Sequence, residues 1–116
     1  MNTEIEKQNL SFYIAVIVYE FSSDAPQEQP LYREDFVLIK ASSQEEAQQK
    51  TLHLAQKEET TYKNEQGENI TITLKHVVDV SSVLSEKFED GADLYARHFH
   101  NYQAYVAFEP LFSGGL

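Results

Sequence analysis

The chain has 116 residues, of which 41% are hydrophobic and 24% charged, a composition typical of one globular domain. Its formal net charge of −10 predicts that it binds neither nucleic acid nor an anionic membrane surface, because both would repel it. It contains no cysteine, which excludes disulfides, thiolate catalysis and cysteine-ligated metal sites.

The first forty residues predict two strands. Residues 1–10 are polar, and we expect a frayed terminus there. Residues 12–21 are β-branched and aromatic, with apolar side chains on both alternating faces, and the second half of residues 32–40 repeats that pattern. Pro26 and Pro30 lie between them and predict a long loop, because each removes a backbone donor.

The middle of the chain predicts one long helix. Ser42 or Ser43, each followed three residues later by a glutamate, fits the capping box, so we expect a helix from Gln44 to about Tyr62. Asn64 and the glycine three residues beyond it are predicted as the ends of a turn. At about 100° per residue, one stripe of this helix contains Ala47, Thr51, Leu54, Ala55, Glu58 and Tyr62.

The last third predicts more strands. Residues 70–80 alternate between apolar and polar side chains. One face of this predicted strand contains Ile70, Ile72, Leu74, His76, Val78 and Val80. Residues 94–99 predict a fourth strand and 104–108 a short fifth. The elements together predict a single α+β domain over residues 1–116, in two layers: a mainly antiparallel sheet, in the chain order β-β-α-β-β with a short fifth strand, and one long helix on one face.

Several short motifs resemble those of a small bacterial family catalogued as domain of unknown function 4288. The matching residues are Ala41, Ser43, Glu45, Glu46 and Ala47, then Tyr62, Asn64, Gly67 and Glu68, then Asp90, Gly91, Tyr95 and Arg97. The resemblance covers residues 12 to 99, and the aromatic tail at 101–116 lies outside it. Asp93 departs from the family pattern, which tends to have a glutamate there. The resemblance implies a compact α+β domain in bacteria and transfers no catalytic residue.

Glu58 and His76 are the first candidate pair for chemistry. Each lies on the apolar face of its own predicted element, so packing of helix on sheet would bring them together as an acid–base couple in a pocket. The alternative is a core histidine with a backbone or tyrosine partner, and a glutamate that reaches solvent. Arg97 either binds a carboxylate or phosphate, or forms an ion pair with an acidic residue on the next strand.

His98 and His100 have the i, i+2 spacing with which two imidazoles on one strand face can chelate a metal ion. A third ligand, His53 or Asp93, would have to come from elsewhere in the fold. The alternative is a polar strand end, and we predict neither a metal nor another cofactor.

The first strand is apolar on both faces, whereas one helix covers a single face of a sheet. We therefore expect either the aromatic tail at 101–116 or a second copy of the chain to cover the other face, and we favour a homodimer. The predicted function is a non-enzymatic, cytoplasmic interaction or accessory domain, with a basic protein as a further candidate partner. A small enzyme or ligand-binding domain, with Glu58, His76 and Arg97 in a pocket between helix and sheet, is the alternative. Residues 1–6 lack the order of a signal peptide, and no apolar run approaches the roughly 20 residues that span a bilayer.

Overall fold

A computed structural model describes residues 10–26, 28–85 and 87–109. Four strands form one antiparallel sheet in the spatial order β2-β1-β4-β3. The strands are β1 (Ser11–Ser23), β2 (Leu31–Ala41), β3 (Thr60–Lys63) and β4 (Asn69–Ser82). Two short helices accompany them, α1 (Gln44–Lys57) and α2 (Tyr102–Phe108).

The predicted architecture, a sheet with one long helix on one face, is wrong. The helix begins at Gln44, where the Ser43 hydroxyl caps it, but it ends at Lys57 after 14 residues. The segment at 60–63, predicted as its last turn, is the strand β3. Two β-branched threonines there favour a strand, and the hydroxyls of Thr61 and Thr71 on β4 lie 3.1 Å apart across the pair.

The two strands predicted after residue 93 are also absent. Residues 94–99 are irregular, and the segment predicted as a fifth strand is the helix α2. Asn101 starts that helix, because its side-chain oxygen accepts a hydrogen bond from the N–H of Ala104 at 3.0 Å. Pro110 and the six residues after it lie outside the described residues, as do residues 1–9 of the predicted frayed terminus. Neither helix in the described part of the chain is long and apolar enough to cross a membrane.

The main core lies between α1 and one face of the sheet. Large side chains of the sheet, among them Ile17 and Tyr19, pack with Ala47 and Ala55 of the helix. Small residues on the buried stripe let the helix approach the sheet closely, and the large sheet residues fill the space. Thr51 lies between the two alanines, fully buried, and its hydroxyl donates to the carbonyl of Ala47 at 2.7 Å. Leu54 was predicted on this stripe, but it is 43% exposed.

Irregular pairing between β1 and β4 changes which residues of β4 face this core. The register shifts after Val16 and again after Val18, so that one residue of β4 is skipped at each point. His76 is therefore the neighbour of Val18, on the face opposite α1, whereas Val77 faces the core. The predicted alternation that placed His76 on the core face is wrong for this reason.

The face of the sheet opposite α1 is partly covered by other residues of the chain. Val16 points to this face and has no exposed surface, and Ile14 is also buried. Residues 88–95 lie against it and line a cleft together with Ile14. A segment that follows β4 thus covers part of the face for which we expected the tail or a second copy.

Candidate functional site

An open cleft of about 900 Å³ lies on the sheet face opposite α1. Phe36 and Leu38 of β2 form part of its floor, and residues 88–95 form its wall. Phe36 is 63% exposed and Leu38 51%, while Phe88 and Leu94 of the wall are 52% and 46% exposed. Four large apolar side chains thus surround one cleft and remain accessible to solvent.

Two aromatic contacts hold the wall against the sheet. The rings of Phe88 and Phe12 on β1 lie 4.8 Å apart, centre to centre, at an interplanar angle of 53°. At the other end of the wall, the rings of Tyr95 and Phe36 lie 6.1 Å apart. Both centre-to-centre distances are within the range of favourable ring pairs. Aromatic contacts therefore stabilise residues 88–95 against the sheet at each end of the cleft.

The turn between these two contacts requires its glycine. The N–H of Ala92 donates to the carbonyl of Glu89 at 2.9 Å, and Gly91 has a φ of +86°, as the third position of a type II turn requires. Ser85 closes the loop, because its N–H donates to the carbonyl of Asp93 at 3.0 Å and its hydroxyl accepts from the N–H of Asp93 at 2.9 Å. The Asp90-Gly91 motif therefore has a structural role in shaping the wall.

A polar cluster borders the cleft at Asp79. The hydroxyls of Tyr95 and Ser81 both donate to the same carboxylate oxygen of Asp79, each at 2.7 Å. The hydrogen bond from Ser81, followed by that from Tyr95, lowers the pKa of Asp79, and the charge of Arg97 adds to this. Burial raises the pKa of Tyr95, and its hydrogen bond to Asp79 contributes as well. At neutral pH the cluster therefore pairs an ionised carboxylate with a neutral phenol.

The rim of the cleft is acidic. Glu89, Asp90 and Asp93 all lie on its wall, and all three are exposed. The surface therefore combines an apolar floor with negative charge around it, in a chain whose net charge is −10. Such a surface attracts cationic groups and repels anionic ones.

The structure does not bring Glu58 and His76 together. Glu58 is the C-terminal cap of α1. Burial raises the pKa of Tyr19 on the core face, and the charge of Glu58 adds to this. His76 neighbours Val18 on the opposite face. Both candidate residues are exposed to solvent, so the pocket expected between helix and sheet does not enclose them.

The other candidate residues lie after the wall of the cleft. Arg97 is exposed, and its charge acts on Asp79 and Tyr95, but it does not lie on a strand. His98 and His100 are exposed in the irregular segment that precedes α2, so they do not share a strand face. Among residues 10–26, 28–85 and 87–109, no group of three histidine, aspartate or glutamate side chains is arranged to hold a metal ion.

The residues that build the cleft were largely missed in the sequence. A signal was present in β2, because Phe36 and Leu38 share a strand face with the charged residues Glu34 and Lys40, and the structure leaves all four side chains exposed. Phe88 gives a second signal, as an apolar residue in the polar connection at 81–91. Asp79 carried no such signal, since an aspartate on the polar side of an alternating strand usually faces water.

Comparison with known proteins gives one match. The model of the family described as Domain of unknown function (DUF4288) matches residues 12–96, most of the chain. Neither the curated proteins nor the solved structures contain a match. The matched span includes β1 from its second residue, the other three strands, α1 and the wall of the cleft, and it ends one residue after Tyr95. The chain therefore belongs to the DUF4288 family.

Proposed function

We propose that this chain is a non-enzymatic protein-interaction domain that binds an apolar segment of a partner protein in the cleft opposite α1. The observation that carries the proposal is the group of four large side chains around that cleft, each about half exposed. Contiguous exposed apolar surface of this kind costs solubility unless a partner covers it, and in monomeric proteins it often marks a binding site. The apolar floor supplies the contact area, and the polar rim fixes the orientation of the segment.

The partner segment carries lysine or arginine residues beside its apolar residues. This part of the proposal rests on the three rim carboxylates Glu89, Asp90 and Asp93, and on the net charge of −10. Opposite charges around an apolar contact mainly raise the rate of association and exclude acidic competitors. Weakening of binding by salt is expected, because exposed charges are screened over roughly 10 Å at 0.1 M salt.

The polar cluster at Asp79 supports a structural role rather than catalysis. A general base works best when its pKa lies near the working pH. The two hydrogen bonds lower the pKa of Asp79 instead, which favours a structural role. One donor, Tyr95, belongs to the wall of the cleft, and the other, Ser81, lies on β4 two residues after Asp79. We assign the domain to the bacterial cytoplasm, in keeping with its acidic composition and the family resemblance. Fractionation of cells that express the tagged chain would test this location.

Leucine-to-glutamine substitutions at two equally exposed positions test the binding surface. Leu94 in the cleft is 46% exposed, and Leu52 on α1 is 45% exposed, so Leu52→Gln is a matched control. The probes are two peptides with the same central leucine–phenylalanine segment, one flanked by lysines and the other by glutamates. We expect the wild type to bind the lysine-flanked peptide in a fluorescence anisotropy titration, and Leu94→Gln to raise its Kd about tenfold or more. Equal binding of both peptides, or equal loss in both variants, would contradict the proposal.

A further inference from the structure

The strand β2 has an outer edge that no strand of the described chain occupies. The carbonyl of Phe12 accepts from Val83, on the β4 side of β1, so the backbone of Phe12 is turned away from β2. Its neighbour Lys40 must then direct its own backbone groups outward, because these groups alternate along antiparallel strands. The ammonium of Lys50, which donates to the carbonyl of Lys40 at 2.7 Å, confirms this direction.

The same alternation gives the outward-facing groups of the rest of β2. At every second residue before Lys40, both the N–H and the carbonyl point away from the sheet. These residues are Tyr32, Glu34, Phe36 and Leu38. Within the described part of the chain, Lys50 is the one side chain that bonds to this edge. An edge of 11 residues with exposed aromatic and leucine side chains is a ready template for another strand.

We propose that two copies of the chain pair through their β2 edges, antiparallel and about a two-fold axis at Val37. This register places Glu34 opposite Lys40 of the second copy, and Phe36 opposite Leu38 of the second copy, each twice by symmetry. All of these residues present outward backbone groups, so every pair is a hydrogen-bonded pair of the new ladder. Each ammonium of Lys50 gives up its bond to the Lys40 carbonyl, which an N–H of the second copy replaces.

The charges of β2 select this register over its neighbours. An axis at Asp35 or at Glu34 would place identical carboxylates directly opposite each other, which is destabilising. An axis at Phe36 would place Glu34 opposite Leu38 and would leave the carboxylate without a cation. The axis at Val37 pairs the carboxylate of Glu34 with the ammonium of Lys40, and Phe36 with Leu38. The same register therefore satisfies both the charged and the apolar side chains.

Pairing at this edge also enlarges the cleft. Phe36 and Leu38 lie at the seam and line the cleft of each copy, so the two clefts meet across the axis. The result is one sheet of eight strands, with a continuous apolar surface on the face opposite the two α1 helices. The inference goes beyond the proposed function, since the edge contact stands whether or not the cleft binds a partner segment.

The absence of cysteine from the chain permits a direct test of the axis. In the proposed register the two Val37 residues form a non-hydrogen-bonded pair with Cα atoms about 4.5 Å apart, within the range that a disulfide spans. Mild oxidation of Val37→Cys should therefore yield a covalent dimer. Asp35→Cys is the control, because the two Asp35 residues would lie about 13 Å apart, four residues out of register. Cross-linking of Asp35→Cys in preference to Val37→Cys would overturn the register.

Charge exchange tests the same contact without a covalent bond. Sedimentation from micromolar to submillimolar concentration should show a dimer of the wild type, and Glu34→Lys or Lys40→Glu should each raise its Kd about tenfold or more. The double variant Glu34→Lys/Lys40→Glu should restore the wild-type Kd to within about threefold. Glu65→Lys, in the turn beside β3 at the opposite edge of the sheet, makes the same charge change and should leave the Kd unaltered.

Three outcomes would overturn the pairing: a monomer at all concentrations, no rescue by the double variant, or equal effects of Glu34→Lys and Glu65→Lys. Circular dichroism of each variant ensures that a loss of dimer is not a loss of fold. Leu94→Gln separates this contact from peptide binding. That variant should dimerise like the wild type even though it fails to bind the lysine-flanked peptide, so either hypothesis can fail alone.

Discussion

The carboxylate of Asp79 connects the wall of the cleft to the sheet. Its carboxylate accepts hydrogen bonds from a residue of its own strand, Ser81, and from Tyr95, which lies 16 residues further along the chain. The second bond joins the sheet to a segment that has no regular backbone pairing of its own. A single buried or half-buried hydrogen bond of this kind stabilises a fold by about 1 kcal/mol, and more when one partner is charged.

Removal of the Tyr95 hydroxyl should therefore loosen the wall. We expect Tyr95→Phe to lower the free energy of unfolding by about 1–2 kcal/mol, since the ring contact remains while the charged hydrogen bond is lost. Tyr32→Phe is the matched control, because Tyr32 is exposed on β2 and its hydroxyl should contribute little. Urea denaturation of both variants gives the comparison. Equal midpoints would mean that the bond to Asp79 does not hold the wall.

The lowered pKa of Asp79 predicts how stability responds to acid. An acid with a lower pKa in the folded chain adds stability at pH above its unfolded value, 3.8 for this residue, and the contribution is lost as pH falls through the folded value. We expect the free energy of unfolding to fall below about pH 4. In Asp79→Asn the fall should be shallower, because the amide does not titrate. Asp90→Asn, in the exposed turn, should follow the wild-type curve, and a parallel fall in both variants would exclude Asp79 as a cause.

The long strands β1 and β2 and the start of α1 at Gln44 could be predicted from the sequence, whereas the C-terminal end of α1 could not. Runs of β-branched and aromatic residues have few structures open to them. The segment from Glu58 to Tyr62 is ambiguous, since its glutamates favour a helix and its threonines a strand. Pairing with residues 69–72 of β4 decides it, and that contact does not exist in the local sequence. The α+β prediction with one long helix failed at this point.

The face of β4 was mispredicted for a related reason. Strict alternation assumes continuous pairing, but the register between β1 and β4 shifts at two places. Each shift turns the following residues to the other face, which moves His76 out of the core and Val77 into it. No residue type marks such a bulge reliably, because its cause is the fit between two strands. The candidate pair of Glu58 and His76 rested on the alternation that the bulges interrupt.

Packing of α1 on the sheet predicts a small effect at Leu54, although the sequence placed Leu54 on the buried stripe of the helix. Ile17 is 1% exposed at the centre of the core, so Ile17→Ala should lower the free energy of unfolding by about 2–5 kcal/mol. Leu54→Ala should cost less than about 1 kcal/mol, because the side chain is nearly half exposed and leaves no sealed cavity. Thermal and urea denaturation would measure both. A larger effect at Leu54 would show that the helix is rotated relative to the structure.

On the scale of the whole molecule, the sheet has two unlike faces. α1 and the large residues of β1 form a well-filled core on one side, while an irregular segment covers only part of the other. The sequence did indicate that β1 is apolar on both faces and that something besides a helix must cover the second one. It did not indicate residues 88–95 as the cover, because that segment is held by two rings and a carboxylate from distant parts of the chain.

The distribution of charge over the molecule predicts that it binds no nucleic acid. Among the lysine and arginine residues that the structure describes, three form ion pairs with carboxylates, at Arg33–Asp35, Lys50–Glu46 and Lys75–Glu20. The net charge of −10 leaves a repulsive field at every approach to a phosphate backbone. Labelled single- and double-stranded oligonucleotides should therefore show no change in anisotropy with micromolar protein, even at low salt where such binding is strongest.

A triple variant shows whether charge is the cause of that exclusion. Glu89→Lys, Asp90→Lys and Asp93→Lys together give the cleft rim a positive field without altering the core. Because counterion release drives such contacts, this variant should acquire weak, sequence-independent binding that disappears as salt is raised. Binding of nucleic acid by the wild type that persists at moderate salt would contradict the prediction. Such binding would indicate that the exposed rings around the cleft stack on bases, as aromatic side chains do in single-strand-binding proteins.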